Sequence, residues 1–244
     1  MNTKLILKKI TLFFVPHRFK HFIVVSMKSE YSDFNNISFS QEGEDLILDR
    51  LFSGKSNGFY VDIGAHHPFK YSNTFKFYLK GWQGVNIDAM PESMVLFDKY
   101  RTRDINIEQA ISDKQEKLTF HVFNDHALNT FDYTNAIKYE NSEYFKIIGK
   151  KQLETKALGE LLERYFPDGK SIDFMSIDVE GYDFQVLKSN NWVKFKPLFI
   201  LIEILEIESL VDFNKNEIYI FLLSKNYFLH SKTVNTFIFK CHNF

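Results

Sequence analysis

The sequence predicts an α/β fold: a doubly wound, mostly parallel sheet finished at one edge by an antiparallel strand. Three observations predict it. Short apolar runs alternate with helical patterns through most of the chain, which is how strands joined by crossover helices read. Several of those runs close on an acidic residue, and the carboxyl ends of strands are where open α/β sheets bind ligands. After the fifth run the alternation gives way to one helical segment and two β-like runs, which suits an antiparallel pair at the sheet edge.

Taken in order, the strands are expected at Gly58 to Ile63, Gly84 to Asp88, Ile105 to Ile111, Ile172 to Asp178 and Leu198 to Ile204. Helices are expected between them at Asn73 to Lys80, Glu92 to Tyr100, Lys156 to Tyr165 and Tyr182 to Ser189. The late elements are a helix from Asn214 to Lys225 and β-runs at Tyr227 to His230 and Thr236 to Phe239. Two segments stand outside the repeat. Lys117 to Phe123 alternates and predicts an extra strand, whereas Asn124 to Lys150 is polar, aromatic and irregular, suggesting an insertion over a binding face.

At 244 residues with 45% hydrophobic and 25% charged side chains, the chain suits one soluble domain with a sizeable core. The net charge of −1 gives no global attraction to nucleic acid, and none is expected as a partner. The charge is uneven, because Met1 to Ser29 holds Lys4, Lys8, Lys9, Arg18, Lys20 and Lys28 and no acid. We therefore divide the chain into a basic apolar arm, 1–38, and a domain, 39–244. The arm's apolar run is cut by Lys8 and Lys9 and closed by Pro16, too short for a span or a signal peptide. It reads as a helix packed on the domain or as a peripheral contact with an anionic membrane. The single cysteine, Cys241, can form no internal disulfide, which is compatible with a reducing, cytoplasmic location, with or without contact to the inner face of the membrane.

The strand ends carry the chemistry. The first closes with Val61-Asp-Ile-Gly-Ala65, where Asp62 is an acid at the end of an apolar run and Gly64 lets backbone approach a ligand. The second closes on Asp88, 24 positions beyond Gly64, where an acid can accept both hydroxyls of a ribose. The third is followed by Ser112 and Asp113, either of which can accept from an adenine amino group or simply cap the turn. The fourth closes with Ser176-Ile-Asp-Val-Glu-Gly181. Asp178 and Glu180 would face one cleft if the strand continued through them, and a carboxylate raised in pKa by a like-charged neighbour can take a hydroxyl proton. The same pair could hold a divalent cation. Glu203 ends the fifth strand and completes a row with Asp62, Asp88 and Asp178. His66 and His67 suit a base or a metal ligand. Adjacent residues leaving a strand point apart, so a joint metal site is not assigned; His67 is kept as a catalytic candidate, and a positioning role is expected for one of the two.

Five blocks carry a resemblance. They are Ser40-Gln-Glu-Gly-Glu-Asp-Leu-Ile47, Gly58-Phe-Tyr-Val-Asp-Ile-Gly-Ala-His-His-Pro68, Tyr71-Ser-Asn-Thr74, Gly81-Trp-Gln-Gly-Val-Asn-Ile-Asp88 and Asp173-Phe-Met-Ser-Ile-Asp-Val-Glu-Gly-Tyr182. In order and spacing they resemble the FkbM-type family of S-adenosylmethionine-dependent methyltransferases. The resemblance implies a Rossmann-like class I methyltransferase fold, S-adenosylmethionine as cofactor, and O-methylation of sugars, polysaccharides and secondary metabolites. It places Asp62, Gly64 and Ala65 at the cofactor turn and Asp88 at the ribose. It brings Gln41 and Asp45 towards the cofactor from the preceding segment, sets Asn73 and Thr74 beside the site, and faces Asp178 and Glu180 to the transfer centre. The expected acceptor is a carbohydrate hydroxyl of a surface glycan or its precursor. Two rivals remain at this level: an NAD-linked oxidoreductase, which lacks the Gly-x-Gly-x-x-Gly turn, and a non-catalytic adaptor that keeps the fold.

Overall fold

In the computed structural model, residues 35–205 and 213–242 are described. The sheet and its helices belong to one unit, which begins at Ser38. The basic arm expected over 1–38 thus lies, apart from its last residues, outside the described part.

Seven strands form the main sheet: β1 (Phe59–Ile63), β2 (Gln83–Asp88), β3 (Ile105–Glu108), β7 (Phe174–Ile177), β8 (Phe199–Glu203), β9 (Tyr227–Lys232) and β10 (Thr236–Cys241). Their order is β3-β2-β1-β7-β8-β10-β9. The first five are mutually parallel, and β10 runs antiparallel between β8 and β9. The expected antiparallel pair does close one edge, with the reversed strand one place in from the end.

Period-2 alternation explains why helices cover both faces. Val61, Ile63, Val85, Ile87, Met175, Ile177, Ile200 and Ile202 point to one side. There they pack with Leu158, Leu161 and Leu162 of α5 (Leu158–Tyr165), Val186 and Leu187 of α6 (Asp183–Ser189), and Ile218 and Leu222 of α7 (Glu217–Ser224). The alternate residues Tyr60, Phe174, Phe199 and Leu201 meet Leu48 of α1 (Glu44–Leu51), Phe77 of α2 (Phe75–Leu79) and Trp82. On the helix α3 (Met94–Tyr100), Met94 and Phe97 pack on Ala65. Strands buried on both faces lose the polar alternation, which is why they read as plain apolar runs.

Three expectations change. The run Ile105 to Ile111 is two strands, because the chain leaves the main sheet at Gln109; β4 (Ala110–Ile111) pairs instead with β6 (Ile147–Lys156) in a small sheet, β4-β6-β5, whose β5 is Lys117–Phe123. The segment Asn124 to Lys150 is ordered, holding a 3-10 turn at His126–Leu128, the helix α4 (Tyr133–Glu140) and the start of β6. The fourth strand stops at Ile177, since Glu180 has φ 53° and Gly181 φ 98°. Cys241 is buried, and no helix among the described residues is long and apolar enough to cross a membrane.

Candidate cofactor and transfer site

Strands β1 and β7 are parallel neighbours whose onward connections leave in opposite directions, so a crevice opens at their carboxyl ends. The turn after β1 is stitched to both sides of it. Gly64 and Ala65 donate their N–H groups to Ile87 O at 2.9 and 3.1 Å, and Asp178 N donates to Ile63 O at 3.0 Å. Gly64 has φ 79°, and a Cβ there would lie 1.7 Å from the Asp178 carbonyl oxygen. Only glycine allows that approach.

The resulting cavity has a volume of about 370 Å³, within the roughly 300–1,000 Å³ usual for small-molecule sites. Its walls come from the β1 turn, the exits of β2 and β3, the 3-10 turn of the insertion and the turn after β7. Asp88 stands at the β2 exit. One of its oxygens accepts from His66 N at 2.8 Å and the other from Met90 N at 2.8 Å. A carboxylate offers about four acceptor positions, so each oxygen keeps one for a ligand hydroxyl. Burial pushes its pKa up, against those two backbone donors.

Three carboxylates meet where this cavity adjoins a second, small one of about 20 Å³. Asp178 borders both, Glu180 the first and Glu203 the second, and one oxygen of each lies within 4.8 Å of the others. Low-dielectric surroundings raise all three pKa values; repulsion within the trio adds to this for Asp178 and Glu203, and the charges of Asp183 and Asp125 add to it for Glu180. Glu180 is pushed up to about 7 mainly by burial, opposed by a hydrogen bond from Tyr139. Glu203 reaches about 8, from burial and then the charge of Glu180. Asp178 keeps solvent access through the open cleft, yet protein surrounds it on the other sides, and its carboxyl is held well above the ordinary range by desolvation and then by Glu203 and Glu180. An oxygen-only set at this spacing suits either proton transfer or a hard divalent cation.

The inserted segment is what fixes Glu180. Tyr139 of α4 donates its hydroxyl to Glu180 Oε2 at 2.7 Å, while Thr130 Oγ1 and Asn135 Nδ2 donate to the Glu180 carbonyl at 2.7 and 3.1 Å. Burial and the Glu180 charge raise the Tyr139 phenol far above its usual range, so it stays a donor. Asp183 caps the same turn by accepting from Val179 N and Gly181 N.

Of the residues singled out in the sequence, Gly64, His66, His67, Asp88, Asp178 and Glu180 border the main cavity, and Gln41, Asn73, Asp178 and Glu203 border the small one. The others are drawn elsewhere. Asp62 is buried on the α2 side of β1, where it accepts from Thr74 Oγ1 at 2.9 Å, and burial lifts it to about 6. Thr74 is buried too, and in turn accepts from Arg101 at 2.9 Å. Ala65 is core. Asp45 is fully buried and holds the preceding loop, accepting from Ser38 Oγ at 2.6 Å, Phe39 N at 2.8 Å and Ser40 Oγ at 3.0 Å. Ser112 and Asp113 miss the cavity because the strand they were meant to follow breaks at Gln109; Ser112 is buried and Asp113 pairs with Lys188 at 2.7 Å. His67 is a poor base, since its Nδ1 accepts from Phe69 N and Lys70 N, both at 3.1 Å. The remaining nitrogen of the neutral ring then carries the proton.

Sequence reasoning missed the support beneath the site. Arg101 is fully buried; its Nε donates to Asp104 at 2.9 Å, one terminal nitrogen donates to Pro68 O at 3.0 Å, and the other donates to Tyr60 OH at 2.8 Å and to Thr74 Oγ1. Asp104 also accepts from Gly84 N, Tyr60 OH and Asn86 Nδ2. This network ties the β1 turn to α2, β2 and the end of α3. An arginine at the end of an exposed-looking helix gave no signal of it.

Comparison with known proteins bears on the chemistry. A search of curated proteins returned no match. Among solved structures, a Pyrococcus horikoshii protein described as a candidate RNA methyltransferase is similar over 94% of this chain and 99% of its own, at 12% identity and a TM-score of 0.43, a likeness too slight to argue from. The family described as Methyltransferase FkbM domain matches residues 62–229, from within β1 to within β9, and so takes in the β1 turn, Asp88, the inserted segment and all three clustered carboxylates. With well over half its length matched, the chain belongs to the FkbM methyltransferase family.

Proposed function

We propose that the protein transfers a methyl group from S-adenosylmethionine to a hydroxyl of a sugar, in a glycan or its precursor. The observation that carries the reading is a single cavity with a ribose-type acceptor, Asp88, at the β2 exit and the Asp178 and Glu180 carboxylates at the β7 exit. The side chains fit the cofactor. Asp88 has acceptor positions left for two hydroxyls, Ile63, Ile87, Met90 and Leu96 supply apolar contact, and Asp178 presents a carboxyl that a bound cationic group would draw into its ionised form. When bound, the cofactor supplies an electrophilic methyl on a sulfonium.

Glu180 is our candidate for the group that takes the acceptor's proton. Its pKa of about 7 lies near the optimum for a general base at neutral pH, Tyr139 fixes one oxygen, and the other is left for the acceptor. Gln41, Asn73, Ser176 and Thr236 line the small cavity with Glu203, a polar recess with room for about one hydroxyl of a carbohydrate. A divalent cation among Asp178, Glu180 and Glu203 would polarise the acceptor oxygen instead. The test is calorimetry with S-adenosylhomocysteine, followed by transfer of labelled methyl to sugars and glycans with and without chelator. Absence of binding refutes the cofactor assignment. Binding without transfer to any hydroxyl compound refutes the acceptor assignment.

A further inference from the structure

Gln109 borders the main cavity together with Ile111 and Phe120 and has no part in the chemistry above. Its backbone N–H donates to Asp88 O at 2.9 Å, continuing the β2–β3 ladder by one residue. Its side-chain amide nitrogen donates to the carbonyls of Glu154 at 2.7 Å and Ala110 at 3.2 Å. Those contacts settle which end of the amide is which. A carbonyl oxygen only accepts, so the atom 2.7 Å from Glu154 O must be the NH2; Oε1 in its place would set two acceptors against each other. Oε1 is therefore on the other arm of the amide, an acceptor for which no protein donor is found among the described residues.

We propose that Gln109 Oε1 reads the 6-amino group of the cofactor's purine, making Gln109 the residue by which this site tells adenine from a 6-oxo purine. The inference rests on the S-adenosylmethionine reading. Asp88, the ribose acceptor, pairs in register with Glu108, the last residue of the neighbouring strand β3, so Gln109 stands one residue beyond that strand's end. Met90, Leu96, Ile111 and Phe120 border the same cavity and offer apolar surface for the faces of a flat ring. Adenine presents a donor at position 6, which Oε1 satisfies. A 6-oxo purine presents an acceptor there, and opposing acceptors repel. Glu154 belongs to β6, so the small sheet sets the orientation of the amide through one carbonyl.

The experiment is calorimetry of the full-length protein and of Gln109→Leu with S-adenosylhomocysteine and with S-inosylhomocysteine, its 6-oxo counterpart. The unmodified protein should prefer the adenine form by about tenfold or more, and the preference should shrink to within about threefold in the variant. A residue that merely supported the fold would weaken both ligands alike and leave the ratio intact. A ratio preserved in Gln109→Leu, or in Gln109→Met if the first variant does not fold, overturns the proposal. So does an unmodified protein that binds both forms equally. An unmodified protein that binds neither defeats the cofactor reading itself, a different result from lost discrimination.

Discussion

Replacing Tyr139 by Phe removes one hydroxyl, and the structure sets the expected effect. That hydroxyl donates to Glu180 Oε2 at 2.7 Å and opposes the burial that holds Glu180 at about 7. A hydrogen bond to a charged group contributes about 1.5–3 kcal/mol net, and one pKa unit corresponds to about 1.4 kcal/mol. Loss of the donor should therefore raise Glu180 by about 1–2 units. A base acts in its ionised form, so activity falls as pH drops through the pKa, and the acid limb of the rate profile should move from near 7 to roughly 8–9. At pH 7 the ionised fraction then drops from about half to about 1–10%, a rate loss of roughly 5- to 50-fold that is recovered as pH rises. The assay is labelled methyl transfer between about pH 5.5 and about pH 10, chosen to span the acid limb of both proteins, with S-adenosylhomocysteine affinity measured in parallel. An acid limb that stays in place in a folded, cofactor-binding variant refutes the assignment of Glu180 as base.

Three further outcomes are expected. Arg101→Met leaves Asp104 buried with no cation, which should cost about 3–5 kcal/mol in urea unfolding, with part of the loss recovered when Asp104→Asn is added; additive losses would contradict the network. Gly64→Ala forces a Cβ against the Asp178 carbonyl at positive φ and should lower stability by on the order of 2–4 kcal/mol while weakening cofactor binding; a variant with native melting temperature and affinity would contradict the close approach. Asp88→Ala should weaken S-adenosylhomocysteine by about 10- to 100-fold in calorimetry, and an unchanged affinity would remove Asp88 from the ribose site.

The parallel strands were legible because double-sided burial writes them as unbroken apolar runs, as in Phe199 to Ile202. The helix α1 was not, since its buried positions include Glu44 and Asp45, used to hold neighbouring loops and Thr236. The strand β6 was hidden for a related reason: Ile147 to Lys156 carries Lys, Gln and Glu at exposed positions, and its pairing partners lie on both sides of it in the small sheet. In the site, acids at strand ends were readable, but which way each points depends on the phase of the pleat. Asp88 bonds the β1 turn and borders the cleft, whereas Asp62 turns to Thr74. Tyr139 lies 41 residues from its partner Glu180 and Gln109 lies 45 from Glu154. Contacts of that separation leave no local pattern.

The clustered carboxylates carry a cost that can be measured. Glu203 has a folded pKa of about 8 against roughly 4.3 in an unfolded chain. Between those values the folded state holds a proton that the unfolded state has released, so stability declines as pH rises from about 5 to about 8 and levels off above. The full shift would correspond to about 5 kcal/mol; partial solvent access and screening reduce the expected contribution to on the order of 1–3 kcal/mol. Glu203→Gln cannot ionise. With chelator present to remove any bound cation, it should unfold at higher temperature than the unmodified protein at pH 8, match it near pH 5, and show impaired methyl transfer. A variant no more stable at pH 8 would mean that the three acids do not repel as their positions imply. A variant that is more stable and equally active would free Glu203 from any functional role. Gain of stability with loss of activity is the combination expected of charges retained for chemistry against the interest of the fold.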